Sequence, residues 1–152
     1  MYAVIMAGGK GTRFWPRSRQ GMPKHLLDIV SERTIIQETI DRILPLVPAE
    51  KIIIVTGKSH AGELMRQLPL IPRENVIIEP VGRNTAPCIG IAALHIMKKA
   101  GDDVMVALPS DHKIDDKAEF INVLRASADM ASRGDYLVTI GISPTRPETG
   151  YG

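Results

Sequence analysis

The chain has 152 residues, 44% hydrophobic and 24% charged, a length that suits one compact α/β domain and a balance far from the polar, highly charged signature of disorder. A formal net charge of +2 and an aromatic content of 4%, with no RNP-like aromatic motif, count against a nucleic-acid-binding surface. One cysteine, Cys88, excludes an intramolecular disulfide, no zinc-type Cys/His spacing surrounds it, and neither a signal-peptide start nor an apolar run of about 18 residues is present; a soluble protein in a reducing, cytoplasmic setting, without a membrane partner, is expected.

In chain order, the apolar run YAVIMA predicts a first strand, closed by the loop Ala7-Gly8-Gly9-Lys10-Gly11-Thr12-Arg13. Adjacent glycines permit positive φ and let backbone N–H groups approach phosphate oxygens, so the loop reads as an anion site, with an ordinary tight turn as the alternative for the glycine pair alone. It matches neither the G-x-G-x-x-G fingerprint nor the Walker pattern. Five cations, Lys10, Arg13, Arg17, Arg19 and Lys24, with no acid before Asp28, form a cluster that repels itself unless an anion neutralises it. Arg13 offers a planar fork to phosphates, and Lys24, behind Pro23, a compact point charge. Trp15 is expected as a core anchor beneath the loop.

A helix is predicted over 34–44, then the strand KIIIVTG, a helix over 60–67 and the strand NVIIEP. The loop Glu79-Pro80-Val81-Gly82-Arg83-Asn84-Thr85-Ala86-Pro87 leads into a helix over 87–99, with Asn84 or Thr85 as N-cap and Pro87 in the first turn. Capping is the simpler role for this pair; hydrogen bonding to a nucleobase or ribose is the functional one. Cys88, at the helix start, reads as a small buried hydrophobe rather than a nucleophile.

The run Val104-Met105-Val106-Ala107-Leu108 is apolar throughout, as in a strand covered on both faces. It ends in Leu108-Pro109-Ser110-Asp111-His112, which sets Asp111 at the strand's carboxyl end, where its carboxylate is suited to Mg²⁺ with a polyphosphate partner; the alternative is a turn-forming Asp. No serine or cysteine nucleophile motif accompanies it. A helix over 118–133 and a fifth strand, YLVTIGI, follow. His25, His60, His95 and His112 are scattered without metal spacing.

Strands alternating with helices predict a Rossmann-like, doubly wound, mostly parallel α/β sheet, whose ligands bind in the crevice beyond the carboxyl ends of the strands. No repeat or linker divides the chain. It ends at Glu148-Thr149-Gly150-Tyr151-Gly152, directly after a strand and turn, so 1–152 is expected to be a domain portion truncated at its C-terminal side.

Taken together, MAGGKGTRFWPRSRQGMPKHLLDI, EPVGRNTAPCIGIAAL, LPSDH and the closing TGYG resemble, in order, the motifs of sugar-phosphate nucleotidyltransferases, above all the mannose-1-phosphate guanylyltransferases. The resemblance implies the GT-A-like nucleotide-binding half of such an enzyme and transfer of GMP from GTP to mannose 1-phosphate, giving GDP-mannose and pyrophosphate with Mg²⁺. It assigns the nucleotide cradle to Ala7, Gly8, Gly9, Gly11 and Thr12, the pyrophosphate grip to Arg13 and the α-phosphate contact to Lys24. Asp111 becomes the metal ligand, Asn84, Thr85 and Ser110 lie around guanine and ribose, and Gly150 lies near the sugar. A second metal ligand and most sugar contacts would lie beyond residue 152, so nucleotide binding with little or no turnover is expected of 1–152 alone, and a homodimer of the full-length protein. The alternatives are a related enzyme with another sugar phosphate or base, and a non-catalytic subunit of the same fold.

Overall fold

The computed structural model describes residues 1–8, 33–82 and 84–143. Its strands form where β-branched residues run together: β1 (Tyr2–Ala7), β2 (Ile52–Gly57), β3 (Val76–Glu79) and β4 (Met105–Pro109). Among the described residues they make one sheet in the order β3-β2-β1-β4, parallel at every pairing, with Ile5 opposite Ile54 on one side and Leu108 on the other. Parallel neighbours require crossover helices. These are α1 (Ile35–Ile43), α2 (Lys58–Gln67) and α3 (Thr85–Ala100), with α4 (Lys117–Ser132) after the last strand.

Side chains alternate across a strand, and the two faces of the sheet feed two cores. Ala3, Ile5, Ile52 and Ile54 pack with Ile36, Ile40 and Ile43 of α1, Leu64 of α2 and Leu124 of α4. Tyr2, Val4, Ile53 and Val55 pack on the other face with Cys88, Ala92 and Ile96 of α3. Each fully buried Ile or Val contributes roughly 1.5–3 kcal/mol of transfer free energy. The residues 36, 40 and 43, and likewise 88, 92 and 96, stand one turn apart on a single stripe, which is why these segments are helical and dock as they do. The chain steps outward from β1 through β2 to β3 with α1 and α2 on one face, then returns past β1 to β4 with α3 on the other. Right-handed crossovers dictate that change of face, and the expected doubly wound sheet is the result.

Helix ends follow local chemistry. Thr34 precedes α1, its N–H bonded to Gln37 Oε1 at 3.0 Å, and Pro45 follows Leu44 to stop the helix. Asp116 caps α4 by accepting from the Glu119 N–H at 2.9 Å. Gly101, at φ +75°, closes α3 in a conformation that only glycine adopts readily.

Two strand expectations are corrected. Residues 136–142 form no strand: Leu137 and Ile142 are 101% and 81% exposed, and no described strand pairs with them. Apolar alternation supplies a face but not a partner, and the ladder needs both. The run ending in β4 is also only half-buried along Met105–Pro109, because β4 has a described neighbour on one side alone. The strands buried throughout are those between others: Ala3 to Ile5 and Ile52 to Val55 are all at 0% exposure.

Candidate functional site

In a doubly wound sheet the crevice opens where the chain reverses direction, at the carboxyl ends of the two strands flanking that point. Here those strands are β1 and β4. The ladder between them continues past β4, with the Ser110 N–H donating to Met6 O at 3.2 Å. The Ser110–Asp111 peptide therefore begins beside the exit of β1. On the other flank the Thr56 hydroxyl donates to Ala7 O at 3.0 Å. Ala7 is thus fixed from one side while Gly8 leads out, exposed.

Gly8 does not take the positive φ that adjacent glycines permit; among the described glycines only Gly101 does. A Cβ on Gly8 would lie 3.5 Å from Glu79 Oε2. The Glu79 carboxylate, from the end of β3, thus reaches across β2 to the start of the glycine loop. It also faces Cys88: burial, and after it the charge of Glu79, push that thiol up to about 11. Cys88 is 5% exposed, a buried hydrophobe as expected and a poor nucleophile at neutral pH.

Asn84 holds the N-cap position of α3, but its side chain makes no capping bond. Its φ of 66° and ψ of −163° lie in a region that is essentially glycine's own, at a cost of order 1–3 kcal/mol. Capping therefore does not account for the residue. Thr85 is the first residue of α3, and both are exposed at the same sheet edge as Gly8, with α3's first N–H groups, which favour anions, beside them.

Ser110 is buried at 3% exposure and Asp111 is half-buried. The carbonyls of Ser110 and His112, the residues flanking Asp111, both lie within bonding reach of α1 side chains. Thr39 Oγ1 lies 3.3 Å from Ser110 O and 3.0 Å from Ile35 O, and both terminal nitrogens of Arg42 donate to His112 O at 3.2 Å. Arg42 also stacks over Phe120, 5.6 Å from the ring centroid. Burial lowers its guanidinium pKa below the ordinary value, with the Glu38 charge opposing that shift. A cavity of about 20 Å³ between Thr39, Arg42, Leu108 and Phe120 has room for roughly one water; it lies behind the loop and is no substrate pocket.

Among the described residues no group of three or more His, Cys, Asp or Glu is placed to hold a metal. Asp111, the carboxylate expected to hold Mg²⁺, stands half-buried just past the carboxyl end of β4. Of the expected site residues the structure brings Ala7, Gly8, Ser110 and Asp111 to one point and sets Asn84 and Thr85 on the same edge; Gly9, Gly11, Thr12, Arg13, Lys24 and Gly150, with Trp15, lie outside the described residues. The sequence reading passed over Glu79, Thr39 and Arg42. Glu79 is the charge that closes the apolar run NVIIEP, and Thr39 and Arg42 flank the 36/40/43 stripe, so each carried a signal.

The model of the family described as nucleotidyl transferase matches residues 2–152. The chain belongs to this family. It is similar to the xanthan biosynthesis protein XanB of Xanthomonas campestris, 45% identical over 152 residues, covering 98% of this chain and 32% of the relative. It is likewise similar to the mannose-1-phosphate guanylyltransferase of Escherichia coli, 42% identical over 151 residues, with the same shares covered. The chain thus spans about a third of the length of the curated relatives it matches. A crystal structure described as mannose-1-phosphate geranyltransferase from Thermus thermophilus superposes with a TM-score of 0.88 at 33% identity, covering 99% of this chain and 43% of that one. Among the described residues, no helix of this nucleotidyl transferase is long and apolar enough to cross a membrane.

Proposed function

We propose that residues 1–152 form the nucleotide-binding portion of a mannose-1-phosphate guanylyltransferase, which transfers GMP from GTP to mannose 1-phosphate in the cytoplasm. The observation that carries this reading is the meeting of the β1 exit with Asp111 at the sheet's switch point, through the Ser110–Met6 bond, in a chain 42% identical to a protein named for that activity.

In the proposed reaction a phosphate oxygen of mannose 1-phosphate attacks the α-phosphorus of GTP. The bond from that phosphorus to the bridging oxygen breaks, and pyrophosphate leaves with the electron pair. The nucleophile is already an oxyanion, so the site's task is alignment and charge stabilisation rather than proton transfer. Arg13 and Lys24 supply positive charge to the leaving pyrophosphate and the α-phosphate, and the backbone from Ala7 to Gly9, with Gly11 and Thr12, cradles the nucleotide. Asp111 would hold Mg²⁺, which when bound neutralises phosphate charge. Asn84, Thr85 and Ser110 serve the base and ribose, and Gly150 serves the sugar. Glu79 supports guanine: its two carboxylate oxygens complement the adjacent N1–H and N2–H₂ donors, whereas uracil and thymine offer a single N–H flanked by carbonyls.

The test is pyrophosphate release by the full-length protein given mannose 1-phosphate, Mg²⁺ and, in turn, GTP, UTP, dTTP and ATP. Release with GTP well above the others is expected; release with none, or with dTTP or UTP alone, overturns the reading. Asp111→Asn, which removes the charge that holds the metal, is expected to abolish turnover or its magnesium requirement. Unchanged metal dependence would make Asp111 a turn residue.

A further inference from the structure

The Asp111 loop is gripped by side chains of α1. Thr39 and Arg42 stand three residues apart on α1, on one side of the helix, and each reaches the loop more than 65 residues away in sequence. The Thr39 hydroxyl lies within bonding distance of the Ser110 carbonyl, in the peptide that enters Asp111, and Arg42 donates twice to the His112 carbonyl, one peptide beyond Asp111's own. The two are joined to each other, Arg42 to Thr39 Oγ1 at 3.3 Å, and are 4% and 7% exposed. The loop is thereby tethered to α1 at the peptide that enters Asp111 and again at the carbonyl of the residue after it, which limits how far the backbone carrying the Asp111 side chain can turn.

We propose that Arg42 and Thr39 are positioning residues for the Asp111 carboxylate, which they hold at the orientation that receives the divalent cation. The grip rests on the reading of Asp111 as a metal ligand. It explains why a buried arginine, costly to desolvate, spends both terminal nitrogens on one backbone carbonyl rather than on a carboxylate: its partner is the loop itself. Residues that orient a metal ligand through hydrogen bonds commonly alter metal affinity 10–100-fold when replaced.

The experiment uses the full-length protein and measures Mn²⁺ binding by electron paramagnetic resonance with GTP present, beside thermal unfolding and the kcat and KM for the GTP complex. Arg42→Met keeps bulk and loses the donors; it is expected to weaken Mn²⁺ binding about 10-fold or more, with partial recovery in Arg42→Lys, which restores one donor. Thr39→Val keeps shape and tests the same grip should Arg42→Met fail to fold. In the Asp111→Asn background neither substitution is expected to weaken binding further. Folded Arg42→Met and Thr39→Val proteins that bind Mn²⁺ as wild type does, with only a lowered melting temperature, overturn the proposal alone, provided Asp111→Asn itself loses the metal. Unaltered metal binding in Asp111→Asn overturns the metal reading, and the positioning role with it.

Discussion

Glu79 is the residue at which the site's chemistry departs most from a generic phosphate grip. Its carboxylate at the β1 exit places negative charge at the edge of a crevice meant for a polyanion, which is unfavourable unless that charge meets donors on the ligand. A hydrogen bond to a charged group is worth about 1.5–3 kcal/mol, so Glu79→Gln is expected to lower kcat/KM for GTP about 10–10²-fold while changing that for UTP little. Steady-state rates with both triphosphates check this. The substitution also removes the second cause of the raised Cys88 thiol pKa. At this scale the sequence was legible in part. Asp111 and Cys88 could be placed from their neighbours alone, because a strand end and a helix start are local. That Asn84 would occupy the cap position without capping could not, since a φ of 66° is a conformation that a non-glycine residue does not announce by its type.

The elements follow the same division. Among the described residues, four α-helices and four strands stand within a few residues of where periodicity sets them, since each buries a stripe or face written in its own sequence. YLVTIGI fails because a strand exists only through a partner, and nothing within 136–142 specifies one. Contacts between elements are similarly hidden. Gln37, an unremarkable polar residue of α1, bonds the Thr34 N–H at 3.0 Å and donates to Gln67 O at 3.0 Å, while the Thr34 hydroxyl donates to Gln67 Oε1 at 2.9 Å. The start of α1 is thereby tied to the end of α2. Gln37→Ala removes the bonds to the Thr34 N–H and to Gln67 O and is expected to cost about 1 kcal/mol, read as a lower urea midpoint at unchanged m-value. Because the Asp111 loop hangs from α1, the same variant should show a weaker metal interaction only if the helix shifts as a body.

At the scale of the molecule, β1 and β4 are fastened at both ends, and the two fastenings differ in kind. At the crevice end the tie is backbone, Ser110 N–H to Met6 O. At the far end it includes charge as well: the N-terminal ammonium of Met1 meets Asp103 Oδ1 at 2.7 Å, and Lys51 Nζ meets Oδ2 at 3.3 Å, beside the backbone bond from Tyr2 N–H to Val104 O at 2.7 Å. The hydrogen bond from the ammonium, followed by that from Lys51, holds the Asp103 carboxyl below its ordinary value against the opposing effect of burial. A carboxyl whose pKa is lower folded than unfolded stabilises the fold fully above the unfolded value, about 4, and loses that contribution as pH falls through the folded value. Asp103→Asn is therefore expected to be less stable than wild type at pH 7, by a few tenths to about 1 kcal/mol for partly exposed pairs. The two should converge as the medium is taken from about pH 5 towards pH 2, which urea unfolding at each pH measures. Since this tie lies at the opposite end of the sheet from Gly8 and Asp111, the substitution should leave the pH profile of turnover above pH 5 where it was; a shift there would mean that strain at one end of the β1–β4 pair is felt at the other.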